Sequence, residues 1–151
     1  MQPLEPEVEF DPRYWQWGTQ DPGPRLLHTM IRVTNLEASL AFYTVGFGMK
    51  VLDRFDVPLR RVSAAYIGYA DYDAGGLLEL THKWDDLEIV PGSFHFAIGV
   101  PDMEGVLVRL TAAGAEIDLK PTVLVPGGPL VAFVKDPDGY SVELIQTRRA
   151  T

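Results

Sequence analysis

The chain has 151 residues, 46% hydrophobic and 23% charged, which is the length and mix of one globular domain. Its 21 acidic residues against 13 Lys and Arg leave a net charge of −8. That argues against nucleic acid or an anionic membrane as partner, since both need a basic face. There is no cysteine, so disulfides, thiolate metal sites and a cysteine nucleophile are excluded, and imidazole chemistry falls to His28, His82 and His95 alone.

Residues 1–25 form a Pro-rich, acidic N-terminal arm interrupted by Tyr14, Trp15 and Trp17. Two readings stay open: a loose tail, or an arm whose aromatics dock on the domain or on a partner subunit. The arm has neither the basic start nor the apolar run of a secretory signal. No stretch nears the roughly 20 apolar residues that span a bilayer. The expected location is therefore the cytoplasm.

Residues 26–151 read as one domain. Residues 26–33 are a predicted strand. Asn35 follows as an N-cap, with Leu36, Leu40 and Tyr43 at helical spacing and Gly46 and Gly48 as the stop. Strands are predicted near 50–55, at 62–69 and at 77–82, with a turn at 73–76 and a loop over 84–93. Then the pattern restarts. Residues 94–100 are a strand, Asp102 is an N-cap, and Met103, Val106, Leu107 and Leu110 make one helical stripe that ends at Gly114. Strands follow at 115–119, 130–135 and 140–146. The last two are joined by the turn Asp136-Pro137-Asp138-Gly139.

The two stretches superimpose. His28, Ile31, Val33, Asn35, Leu36 and Glu37 match His95, Ile98, Val100, Asp102, Met103 and Glu104 at an offset of 67. Glu79 among leucines matches Glu143 in its own apolar strand at an offset of 64. Each half is a βαβββ module, one over about 26–83 and one over about 94–147. The fold class is α+β.

Strand parity sharpens the match. Side chains alternate faces along a strand. In all four strands the His or Glu leaves the face that carries the apolar residues. Two sheets curling around a common cavity would line it with two His and two Glu. Imidazole nitrogens and carboxylate oxygens suit Zn²⁺, Ni²⁺, Co²⁺, Mn²⁺ or Fe²⁺. An octahedral ion on four such donors keeps two positions for water or a chelating substrate. It would make a neighbouring carbon acid easier to ionise, with a glutamate as base. His82 has no counterpart in the second module and reads as a surface or rim residue.

Several segments then become recognisable. Leu26-Leu27-His28-Thr29-Met30-Ile31-Arg32-Val33, Phe42-Tyr43-Thr44, Gly48-Met49-Lys50 and Glu79-Leu80-Thr81 resemble glyoxalase I (lactoylglutathione lyase), of the vicinal oxygen chelate superfamily. So does the closing run from Ala132 to Ile145. The resemblance spans about residues 26–147. It implies paired βαβββ modules in a homodimer, with each site built from one chain's first module and the other chain's second. It places His28, Glu79, His95 and Glu143 on the family's metal ligands. The ion it favours is Ni²⁺ or Co²⁺, with Zn²⁺ the alternative. The implied reaction converts the hemithioacetal of methylglyoxal and glutathione to S-lactoylglutathione through a metal-bound enediolate. Glu143 matches the base and Glu79 a partner across the substrate. Arg32 matches a residue that binds the γ-glutamyl carboxylate of glutathione.

Two departures fall on the thiol clamp. His82-Lys83-Trp84 stands where the family has Tyr-Asn-Trp, so Lys83 replaces an Asn at a thiol-binding position. Pro126 precedes Gly127-Gly128 where the family often has Lys. These favour, as the alternative, another metal-dependent isomerase, epimerase or lyase acting on a different thiol adduct or an oxo-acid. An antibiotic-sequestering protein of the same fold is a third reading, and the retained ligand set argues against it.

Overall fold

The computed structural model describes residues 26–70 and 76–147. The arm and most of the turn expected at 73–76 lie outside the described residues. The first module runs β1 (His28–Arg32), α1 (Leu36–Ala41), β2 (Lys50–Val57), β3 (Val62–Gly68) and β4 (Leu77–Lys83). The second runs β5 (His95–Val100), α2 (Met103–Ala112), β6 (Glu116–Val123), β7 (Leu130–Lys135) and β8 (Ser141–Gln146). Each module is a four-stranded sheet, ordered β1-β4-β3-β2 and β5-β8-β7-β6. The first strand of each pairs in parallel with the last, and the remaining pairs are antiparallel. This is the paired βαβββ fold expected from the repeat. Among the described residues no helix is long and apolar enough to cross a membrane.

Local chemistry explains the helices. Asn35 accepts from the Ala38 amide and Asp102 from the Gly105 amide, so both predicted N-caps satisfy a helix-end donor. α1 is shorter than its apolar spacing suggests. After Ala41 the chain widens into a π-helical turn over Phe42–Gly46, and Gly48 then takes a left-handed φ of 71°. The widened turn still buries Phe42, Tyr43 and Gly46. The stripe Met103, Val106, Leu107 and Leu110 is buried throughout. A Cβ on Gly46 would lie 2.3 Å from Leu110 Cδ2, so glycine is what lets the first module's turn meet α2.

Strand ends differ from the sequence pattern by one or two residues, as hydrogen-bonded ends usually do. The larger difference is β6, which runs to Val123 rather than 119. Pro121 sits inside it where the register against β7 shifts, on the outermost strand of its sheet, the place that tolerates a missing amide donor.

One apolar core spans both modules. Ile31, Val33, Leu36 and Leu40 belong to it with Ile98, Val100, Leu110 and Leu144. A buried polar link crosses the same interface. The Tyr43 hydroxyl donates to Asp136 Oδ2 at 2.7 Å, and both residues are buried. Asp136 Oδ1 accepts from the backbone amides of Asp138 and Tyr140, which shapes the closing turn. Burial, and then the nearby Asp136 charge, push the Tyr43 phenol well above its ordinary range. An unfolded phenol ionises near pH 10, about its reference value. The folded one holds its proton longer, so the folded state binds more protons there and stability falls as pH rises past about 10. Tyr43→Phe should remove that alkaline loss. At pH 7 it should cost about 1.5–3 kcal/mol in urea unfolding, because a buried carboxylate loses a donor.

Candidate active site

β1 and β4 lie side by side in parallel, with Met30 opposite Glu79 and Arg32 opposite Thr81. Alternation puts His28, Met30 and Arg32 on one face of β1, and Glu79, Thr81 and Lys83 on the same face of β4. The opposite face carries Ile31 and Val33 of the first strand, and Leu78 and Leu80, into the core. His28 Nε2 lies 3.0 Å from Glu79 Oε2, with the two side chains 29% and 19% exposed. The second sheet repeats the arrangement. His95 Nε2 lies 3.1 Å from Glu143 Oε2, at 50% and 17% exposure. Each sheet thus presents one imidazole nitrogen and one carboxylate oxygen, adjacent and reachable by solvent.

A common cavity holding all four groups is not what one chain forms. Among the described residues there is no group of three or more His, Asp or Glu side chains close enough to hold a metal ion. The physical reason is that the two sheets share their core through α1, α2 and the apolar faces, which leaves the two His–Glu faces apart. Each chain carries two His–Glu pairs, one on each sheet.

The donor chemistry fits a divalent ion. A neutral imidazole and a carboxylate on neighbouring strands can both turn to one point outside the sheet, and two such pairs make a borderline N₂O₂ set. One further residue supports each pair, and neither was apparent from the motifs. Tyr66 lies opposite Glu79 in the β3–β4 register, and its ring meets the His28 ring edge-on at 5.3 Å. Phe133 lies opposite Glu143 in the β7–β8 register, and it meets His95 edge-on at 5.3 Å. Residues 66 and 133 also stand 67 apart, the offset of the two histidines. That spacing was the available signal. It goes unnoticed because aromatic residues in strands are common.

The halves are not equal. Thr81 Oγ1 donates to Glu79 Oε1 at 3.1 Å, while the position matched to Thr81 at the 64 offset is Ile145. Arg32 and Lys83 match Gly99 and Thr147, so neither cation is repeated at its matched position in the second sheet. Arg32 Nη1 is buried with no hydrogen-bond partner among the described residues. A cavity of about 450 Å³ opens there, and its lining includes the cations Arg32 and Lys83 and the acids Asp85, Asp86 and Glu88. Asp85 is already engaged. Arg61 pairs with it at 2.9 Å and, by that hydrogen bond, holds its carboxyl below the usual range. His82 points away from the Glu79 face and its Nδ1 lies 3.2 Å from the Val33 carbonyl oxygen.

The match to known proteins runs over this whole framework. Residues 25–144 match the model of the Glyoxalase/Bleomycin resistance protein/Dioxygenase superfamily. A lactoylglutathione lyase from Neisseria meningitidis is 42% identical over 82% of this chain and 91% of its own length. The crystal structure of glyoxalase I from Zea mays superposes with a TM-score of 0.77 at 33% identity, covering 83% of this chain. This chain spans about half of that maize chain, 46% of it. A trypanothione-dependent glyoxalase I from Leishmania major gives a TM-score of 0.71 at 36% identity, over 82% of this chain and 87% of its own. The chain belongs to the glyoxalase superfamily and, within it, to the metal-dependent lactoylglutathione lyases, so it is a glyoxalase I-like enzyme.

Proposed function

We propose that this enzyme isomerises the hemithioacetal of methylglyoxal and glutathione to S-lactoylglutathione, as a homodimer in the cytoplasm. The observation that carries the reading is the pair of matched His–Glu contacts, 3.0 and 3.1 Å long, on separate sheets of one chain. Two chains facing each other would join the His28–Glu79 pair of one to the His95–Glu143 pair of the other. Exposed Met30 and Ala97 beside these pairs fit a face that a second copy covers. His28, Glu79, His95 and Glu143 would hold one divalent ion per site, Ni²⁺ or Co²⁺ by preference and Zn²⁺ as the alternative. When bound, such an ion supplies Lewis acidity that makes a carbon-bound proton beside a ligated oxygen easier to remove.

The remaining work falls to the chain. Glu143 takes the proton from the carbon that bears sulfur and returns it to the adjacent carbonyl carbon, while the hydroxyl proton passes from the first carbon's oxygen to the second's, so the product is an isomer and no other reactant is consumed. Glu79 stands across from it. Arg32 and Lys83 bind the carboxylate end of the thiol in the cavity at the ends of β1 and β4, where the buried Arg32 Nη1 has a donor to offer. Arg32→Leu should raise KM for the glutathione hemithioacetal about tenfold or more and leave kcat within about threefold, because the contact lies remote from the reacting carbons.

The test is turnover of methylglyoxal plus glutathione, followed with the apo-protein and after adding Ni²⁺, Co²⁺ or Zn²⁺. Activity that appears with metal supports the reading. Absence of turnover with every metal, in a folded protein that binds them, would move the assignment to a different thiol adduct. Lys83 and Pro126 specifically favour that second reading, since both replace residues expected at the thiol. The trypanothione-dependent relative is an example of a glyoxalase I with another thiol.

A further inference from the structure

Arg61 is held in a backbone shape that its residue type disfavours. It stands at the β2–β3 corner with a left-handed φ of 52°, the only non-glycine among the described residues with a positive φ. Its amide donates to the Pro58 carbonyl at 3.0 Å, and its carbonyl accepts from the Trp84 amide at 2.9 Å. The hairpin corner is thus fastened to the residue that follows Lys83. Glycine takes this conformation at no steric cost, so an arginine here points to a use for its side chain.

That side chain grips the segment after β4. Its Nε and Nη2 donate to Asp85 at 3.1 and 2.9 Å, and its guanidinium lies 5.7 Å from the centre of the Trp84 ring. Trp84 is fixed in turn by its Nε1, which donates to Ser63 Oγ at 2.8 Å. An exposed ion pair alone restrains little. This one is two-pronged, stacked, and set on a backbone bonded through both its amide and its carbonyl. Asp85 shares the cavity at the ends of β1 and β4 with Arg32 and Lys83. The Arg61 hydrogen bond holds the Asp85 carboxyl below its usual range against burial, and the charges of Arg61 and Lys83 add to it. Neither Arg32 nor Lys83 has an ion-pair partner among the described residues. An unrestrained Asp85 would pair with Lys83, two residues away, and set a negative charge where a substrate carboxylate has to enter.

We propose that Arg61 is a positioning residue that keeps Asp85 off Lys83, so that Arg32 and Lys83 stay open to an anionic end of the thiol. The proposal rests on the thiol-cavity reading above. It goes beyond that reading by naming what keeps the cations unpaired beside an acidic segment.

The experiment measures the dissociation constant of S-methylglutathione by titration calorimetry on the full-length protein and its variants. Arg61→Gly removes the side chain and suits the left-handed backbone, so its melting temperature is expected within about 3 °C of wild type. Its dissociation constant is expected to rise about five- to tenfold. In an Asp85→Asn background the same change is expected to shift the constant by less than about twofold, because no carboxylate remains to be restrained. A merely structural role would cost the same in both backgrounds. A wild-type constant in Arg61→Gly, or equal losses in the two backgrounds, overturns the proposal. A wild-type protein that binds no S-methylglutathione, or an Arg32→Leu variant that binds it as tightly as wild type, is a different failure. It removes the thiol-cavity reading, and the proposal with it.

Discussion

Glu143→Gln is expected to lower kcat for the hemithioacetal about 10³-fold, within the range that removal of a general base usually costs. The amide keeps the volume of the carboxylate and can still meet His95 Nε2, which lies 3.1 Å from Oε2 in the wild type. It cannot accept a proton from carbon. The side chain is 17% exposed and its histidine partner 50% exposed, so the substitution strands no deeply buried charge. The circular dichroism spectrum and melting temperature should stay at wild-type values. Glu79→Gln is expected to behave differently. Its main loss should be metal affinity, because Glu79 is the carboxylate anchored by Thr81. Turnover near wild type in Glu143→Gln would reject Glu143 as the base.

The second large effect concerns the metal. His28→Ala removes one of the four proposed donors, and losing a direct ligand should cost more than the 10- to 100-fold typical of an outer-shell partner. After dialysis against buffer, the nickel content measured by elemental analysis should fall to about a tenth or less of wild type. His95→Ala should do the same, since the proposed site draws one histidine from each sheet. His82→Ala is the internal control. His82 takes the opposite face of β4 and its Nδ1 meets a backbone carbonyl, so its removal should leave the nickel content unchanged. Equal loss in all three variants would show that the effect is unfolding rather than ligation.

Much of the fold was legible because the repeat doubled every signal. Asn35 and Asp102 each precede an apolar stripe and each cap a helix. Parity alone placed His28 and Glu79 away from the face of Ile31, Val33, Leu78 and Leu80, and those four are buried. Parity gives only the face of a single sheet, though. It says nothing about how two sheets are set, so parity alone left open whether the four groups meet within one chain or across two. The supports of the pairs were illegible for a related reason. Tyr66 and Phe133 reach the histidines across strand registers that only the paired sheet defines. Thr81 looks like any strand threonine until its hydroxyl is seen 3.1 Å from Glu79. The π-helical turn at Phe42–Gly46 was hidden because a widened turn keeps nearly the same apolar spacing as an α-helix.

The central claim is that one site needs two chains. Mixing His28→Ala chains with His95→Ala chains tests it directly. Each variant alone carries one defective half-site per chain, so both of its dimer sites are broken. A mixed dimer collects both lesions in one site and leaves the other intact. After unfolding and refolding an equimolar mixture in the presence of Ni²⁺, random pairing should restore about a quarter of wild-type activity. Activity that stays at the level of the separate variants, in a mixture shown by native mass spectrometry to contain the mixed dimer, would contradict it.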